Sequence, residues 1–289
     1  MTARGGERRA DRPCQEAGFR YPLDVREEGS SRRPPSVCVA ETLSGRRGLV
    51  DLWCYFPERS GDAALRAAQA ALMTPDEQAR CRRFHFERDR RMFAATRALV
   101  RAVLSRYAAV GPGEWRFAAG PHGKPRIAHP AVTPALYFNL AHTPGLVVCA
   151  VSVAHESVGA DVERLDRRME ILDLADRYFS GSEVRALRAL PSSGRLRRFV
   201  ALWTLKESYL KARGVGLTQP LHQFSFLLDR EEIGVAFEEG LPDDAARWRF
   251  ALLDSPPRHL IAVGADTGGA ALSLRAARIV PLRGTGSQE

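Results

Sequence analysis

The stretch that most constrains this chain is Val158-Gly159-Ala160-Asp161-Val162-Glu163, which is answered further on by Trp203-Thr204-Leu205-Lys206-Glu207-Ser208-Tyr209-Leu210-Lys211. The first is short, apolar and β-branched around two acids, so it predicts a strand in a buried sheet. Side chains alternate along a strand, which puts Asp161 and Glu163 on one face. The second has helical period: Phe199, Leu202, Trp203 and Leu210 form an apolar stripe, and Glu207 and Lys211 share a face one turn apart. A helix packed on that strand would gather three carboxylates and a lysine at one spot. Three hard oxygen ligands, without cysteine or paired histidine, suit Mg²⁺. The same spacing also describes a surface acid pair beside an i,i+4 salt bridge, and spacing alone does not choose between the two.

Charge narrows the partners. With 43 Lys and Arg against 34 Asp and Glu, the chain carries a formal +9 and attracts anions. Nucleic acid would be the generic partner, but the basic residues are not interleaved with exposed aromatics, and no nucleic-acid motif is present. An acidic nucleotide cofactor and an acidic protein partner fit equally well. No apolar run approaches a membrane span, and the start lacks the apolar core of a signal peptide, so no membrane association is expected. Five scattered cysteines (Cys14, Cys38, Cys54, Cys81, Cys149) show neither CxxC nor metal spacing. An odd, unpaired set predicts reduced thiols and a cytoplasmic protein.

Residues 1–47 are rich in Arg, Gly, Ser, Glu and Pro without sustained period, which predicts a disordered leader. The fold is expected to open at the alternating strand Leu49 to Phe56. An alanine-rich helix follows from Asp62 to Leu72. Thr74-Pro75-Asp76-Glu77 then starts another, with an N-cap, a proline in the first turn and early acids. Asp89 to Tyr107 reads as a longer helix, Trp115 to Phe117 as a strand, and Gly120 to Pro125 as a turn-rich loop. Leu136–Leu140 and Leu146–Val153 read as strands flanking a loop with His142, and the latter is expected to form a hairpin with Val158–Val162 leading into the acidic site. Helices are expected near Ile171–Tyr178 and after a Ser180 cap, and over Phe199–Arg213 with Gly214 as a left-handed C-cap. Strands near 224–228, 248–253 and 260–263 complete the pattern. The order strand, helices, strands thus occurs twice. The expected division is a first subdomain over 48–154, a second over 155–283, and a loose tail over 284–289.

Gly159-Ala160-Asp161-Val162-Glu163 followed by Trp203 to Lys211 resembles the paired signature of the 4′-phosphopantetheinyl transferases, and within them the larger pseudodimeric branch. Three further stretches fit that family in order: Arg80-Cys81-Arg82-Arg83-Phe84, Gly123-Lys124-Pro125 and Phe138-Asn139-Leu140-Ala141-His142. Five ordered motifs are far more specific than a lone pattern. The resemblance implies an α+β, sandwich-like fold: two similar subdomains related by a pseudo-twofold, each a small, mainly antiparallel sheet packed with helices. Coenzyme A would lie in the cleft between them. The implied reaction moves the 4′-phosphopantetheine arm of coenzyme A onto a serine hydroxyl of an acidic acyl or peptidyl carrier protein, releasing adenosine 3′,5′-bisphosphate.

Site residues follow residue by residue. The resemblance implies Asp161, Glu163 and Glu207 as Mg²⁺ ligands, with Mn²⁺ as a substitute. Glu207 would also accept the serine proton, directly or through a water on the metal. Lys211 would set its ammonium against the pyrophosphate, and Lys206 would orient or pack the motif. His142, Lys124, Arg80 and Arg91 would contact the cofactor, Arg80 at its 3′-phosphate end. Ala141 stands where the family carries a serine, so a hydrogen bond to the cofactor is lost there or is made by backbone N–H alone, a matter of about 1 kcal/mol. Ala160 departs from a usual branched residue. Glu183 belongs to an aromatic-Ser-x-x-Glu segment near where carriers dock. Two halves in one chain imply a monomer. The alternative is a coenzyme A-binding paralogue with weak or no transfer activity.

Overall fold

A computed structural model of the chain describes residues 49–59, 63–166, 169–255 and 258–282, together with the dipeptides Tyr21–Pro22 (β1) and Arg26–Glu27 (β2). The expected leader over 1–47 and tail over 284–289 otherwise lie outside the described residues.

The strand over Leu49–Tyr55 (β3) forms as its alternation predicts, yet six of its seven residues are buried, because both faces are covered. Trp53 and Tyr55 meet Leu99, Val100 and Val103 of a long helix. Val50, Leu52 and Cys54 face a second sheet instead. Between β3 and that helix run α1 (Ala63–Ala71) and α2 (Pro75–Arg82); the long helix itself is α3 (Glu87–Leu104). The Thr74 start is a full capping box: Thr74 Oγ1 accepts from Glu77 N, and Glu77 Oε2 accepts from Thr74 N at 3.0 Å. A small hairpin of β4 (Arg116–Ala119) and β5 (Pro125–His129) precedes β6 (Tyr137–Thr143) and β7 (Leu146–Ser152). The turn between β6 and β7 is Pro144-Gly145, with Gly145 at φ +89°, so His142 sits on a strand rather than in a loop.

The second half begins with β8 (Val158–Arg164), then α4 (Ile171–Tyr178), α5 (Gly181–Ala189) and α6 (Ser192–Arg213). The signature helix thus starts two turns earlier than its apolar stripe predicts, and ends as predicted at Gly214 with φ +67°. Then come β9 (Phe224–Leu227), β10 (Gly234–Phe237), β11 (Trp248–Ser255), β12 (His259–Asp266) and β13 (Ser273–Arg278).

The strand order repeats between the halves. In the first, β3, β7 and β6 lie side by side and antiparallel; in the second, β8, β12 and β11 do the same. The expected β7–β8 hairpin is therefore not formed, since the two strands belong to different sheets. The faces of the sheets meet in one apolar layer, where Val50, Leu52 and Val148 oppose Val158, Ala160, Ile261 and Val263. Outside this double layer α3 covers one sheet and α6 the other. The result is helix, sheet, sheet, helix, an α+β sandwich of two alike halves. At one edge β6 runs beside β8, and Asn139 Oδ1 accepts from Ala160 N at 2.9 Å.

Three pairings cross the expected division at residue 154. β13 runs parallel to β3 in the first sheet, between β3 and β2. Of the leader, β1 pairs with β11 and β2 with β13. The β13 junction is held by Asp51, buried on β3, which accepts both Arg275 nitrogens at 2.8 Å and the Tyr107 hydroxyl at 2.5 Å. Arg275 is more than half exposed, so its charge adds little. The buried Tyr107 bond to a carboxylate is the larger part, so Asp51→Ala is expected to lower stability by about 2 kcal/mol. Urea unfolding followed by tryptophan fluorescence measures this, and an unchanged midpoint would refute it.

Candidate active site

Gly159 explains how strand and helix come together. A β-carbon there would run into Ser208 O and Ala212 N and lie 2.9 Å from Ala212 Cα, so the α6 backbone rests directly on β8. Only glycine permits that approach. Asp161 and Glu163 share the Gly159 face of β8 by alternation, and Glu207 and Lys211 share the underside of α6. Lys211 Nζ donates to Asp161 Oδ1 at 2.5 Å. Asp161 Oδ2 is buried and has no hydrogen-bond partner among the described residues. Glu207 is half-buried, and its carboxyl is held above the ordinary carboxylate range, chiefly by lost hydration and next by the charge of Asp161; Lys211 opposes this and Glu163 adds to it. The bland reading, a solvated acid pair beside a Glu207–Lys211 bridge, does not describe the geometry, because Lys211 pairs with Asp161 across two elements.

Among the described residues, no group of three or more His, Cys, Asp or Glu side chains converges as a formed metal site. The donors nonetheless suit a hard cation. A buried carboxylate oxygen without a partner is a costly feature that a cation would relieve, and the acids that raise Glu207 crowd negative charge at one place.

Beside these acids opens a cleft of about 1800 Å³ with walls from both halves, to which Glu163 and His142 both contribute. His142 is exposed to the cleft at the end of β6. The packed walls still remove enough water to hold its pKa below the usual histidine value, with Lys211 the next cause. Arg80 and Arg97 both reach over the Phe93 ring, at 5.7 and 4.9 Å from its centroid. Arg91 lines the cleft too, but Glu87 holds its Nε at 3.0 Å.

Two expected contacts are placed elsewhere. The Ala141 methyl lies in the apolar layer between the sheets, on the opposite face of β6 from His142, so only its backbone could serve a cofactor. Lys124 does not line the cleft; its ammonium donates to Val158 O at 3.2 Å and Ala212 O at 2.7 Å. Lys206 packs the motif as expected. It is wholly buried, donates to Leu221 O and Phe224 O, and pairs with Glu183 at 2.9 Å. Glu183 also accepts from Ser180 N and Phe226 N, so in this structure it is a buried joint.

Residue typing alone missed Arg97 among many arginines. Its Nε is buried and lies 3.6 Å from Glu77 Oε1, a carboxylate it shares with the buried Arg101. The i,i+4 spacing from Phe93 was the available signal.

Comparison with known proteins adds to this geometry. Residues 157–263 match the family described as the 4′-phosphopantetheinyl transferase superfamily, and residues 62–154 the one described as 4′-phosphopantetheinyl transferase, N-terminal. The chain is 31% identical to the 4′-phosphopantetheinyl transferase Sfp of Bacillus subtilis over 193 residues, which cover 67% of this chain and 82% of that protein. This chain belongs to the 4′-phosphopantetheinyl transferase family. The 4′-phosphopantetheinyl transferase HetI of a Nostoc species is 38% identical over 150 residues, 52% of this chain and 63% of its own length. A second Bacillus subtilis 4′-phosphopantetheinyl transferase is 30% identical over 73% of this chain and 90% of its own length. The solved holo-[acyl-carrier-protein] synthase of Thermotoga maritima is 23% identical and covers 37% of this chain and 61% of its own, with a TM-score of 0.31, too loose a likeness to argue from. As a phosphopantetheinyl transferase of the Sfp type, the protein is an enzyme that modifies carrier proteins. Among the described residues, no helix is long and apolar enough to cross a membrane.

Proposed function

We propose that this phosphopantetheinyl transferase moves the 4′-phosphopantetheine arm of coenzyme A to a serine of an apo acyl or peptidyl carrier protein, with Mg²⁺. The observation that carries the reading is Asp161, tied through one oxygen to Lys211 while its other oxygen is buried and unpartnered, beside a Glu207 of raised proton affinity. Asp161, Glu163 and Glu207 would hold the cation, which when bound supplies neutralisation of the pyrophosphate. The serine Oγ forms a bond to the β-phosphorus, and the bond from that phosphorus to the bridging oxygen breaks. Glu207 takes the serine proton, its carboxyl standing beside the reacting groups with a proton affinity raised chiefly by burial. Lys211, one turn along, meets the charge that develops on the departing adenosine 3′,5′-bisphosphate. Arg80 and His142 bind the nucleotide phosphates from the first half. The basic chain draws in the acidic cofactor and an acidic carrier. We place the enzyme in the cytoplasm as a monomer, its paired halves forming one cleft.

Intact-protein mass spectrometry tests this directly. An apo carrier incubated with coenzyme A, Mg²⁺ and the enzyme is expected to gain the mass of one phosphopantetheine arm, and not to gain it under a chelator. Coenzyme A binding without transfer to any of several carrier types would favour the weakened paralogue for which Ala141 is the argument. Absence of coenzyme A binding would reject both readings.

A further inference from the structure

Lys124 belongs to the first half by sequence, in the turn between β4 and β5, but its ammonium works in the second. It donates to Ala212 O at 2.7 Å and to Val158 O at 3.2 Å. Ala212 follows Lys211 on α6, and Val158 begins the strand that carries Asp161. The two carbonyls flank the Gly159 contact, where α6 and β8 touch backbone to backbone. Ala212 O belongs to the last turn of α6, whose carbonyls lack helical partners, and a cation there is favourable. The Lys124 stem is seated as well: a β-carbon on Gly214 would lie 3.2 Å from its Cδ. Burial pushes this ammonium down to about 8, with Glu156 opposing the shift. The two accepting carbonyls favour the charged form at neutral pH.

We propose that Lys124 is a positioning residue: it clamps the last turn of α6 to the first residue of β8 and so sets Lys211 against Asp161, instead of contacting the cofactor. The inference rests on the transfer reading above. It makes the first half a structural partner of the acidic site as well as a wall of the cleft. The clamp acts on turnover. Lys211 and Asp161 already lie at hydrogen-bond distance, and a shift of α6 along β8 would misplace both against the reacting phosphate. A phosphate-binding lysine would act on cofactor affinity instead.

The test separates those roles in the full-length enzyme. Lys124→Met is expected to lower kcat by about 10²-fold, the scale of an ångström-sized misplacement. Its Kd for coenzyme A, from calorimetric titration, is expected to stay within about twofold of wild type. Lys124→Arg is expected not to restore kcat, since a planar fork does not replace a point ammonium between two carbonyls. Lys124→Gln, which keeps a donor on a shorter stem, should be intermediate and serves if the methionine variant fails to fold. A rise in Kd with kcat unchanged, rescued by arginine, would overturn the clamp in favour of phosphate contact. Unchanged kcat and Kd in a folded Lys124→Met enzyme would overturn it outright. Wild-type enzyme without transfer would overturn the parent reading and, with it, the clamp's part in turnover.

Discussion

Asp161→Asn is expected to reduce carrier modification by about 10³-fold or more, the scale at which a preorganised charge at a reacting phosphate is felt. The substitution keeps volume and removes charge, so it isolates electrostatics from packing. Asp161 is buried, its Oδ1 is matched to Lys211, and its Oδ2 has no hydrogen-bond partner among the described residues. An amide at that place offers a cation no anionic oxygen and leaves Lys211 without its counter-charge. A second readout follows from Glu207, whose raised proton affinity owes its second-largest share to Asp161. With that charge gone the Glu207 pKa falls in the cation-free protein, so its carboxyl titration there should move to lower pH. Single-turnover mass spectrometry of a carrier protein measures the first quantity, and an NMR titration of the Glu207 carboxyl in chelator-treated protein measures the second. Near-wild-type transfer by the folded variant would sink the proposed site.

Gly159→Ala is expected to be the most damaging small substitution in the second half. The added methyl would enter the α6 backbone, and neither Ser208 O nor Ala212 N can move without moving the helix. Overpacking against backbone, with no flexible side chain to yield, should cost about 3 kcal/mol or more. For a chain of this size that is roughly 5 °C in melting temperature. If α6 instead lifts to make room, stability is partly recovered, but Glu207 and Lys211 move away from Asp161 and transfer is lost. Thermal melting and transfer rate measured on the same preparation distinguish the two responses. A variant normal in both would show that the helix does not rest on this strand.

These two residues also show what could be read in the chain. Asp161 and Glu163 declare themselves through period-two alternation, Glu207 and Lys211 through period-four spacing, and Thr74 and Gly214 through cap chemistry. All are local rules, and all describe the structure. The long-range facts obey no local rule. Ala141 and His142 are neighbours in a motif, but strand alternation sends one into the layer between the sheets and the other to the cleft. That outcome is readable only once His142 is placed on a strand. Lys124 looks like a solvated or phosphate-facing lysine in a turn; nothing near it in sequence announces that its partners lie at residues 158 and 212. Arg97 is hidden by the abundance of arginine: its place over Phe93 is local to α3, but the Glu77 it shares with Arg101 is brought by the packing of α2 on α3.

The placement of β13 bears on how the molecule is made. The first half cannot finish its sheet from its own residues, because β3 takes as its edge partner a strand joined to it by a contact spanning 224 positions, Asp51 to Arg275. While the chain leaves the ribosome, β3 must therefore present a bare hydrogen-bonding edge until the second half has been synthesised. Such late, non-local pairing slows folding and lengthens the exposure of intermediates. The two halves look like repeats, but they should mature together and only after β13 has been synthesised.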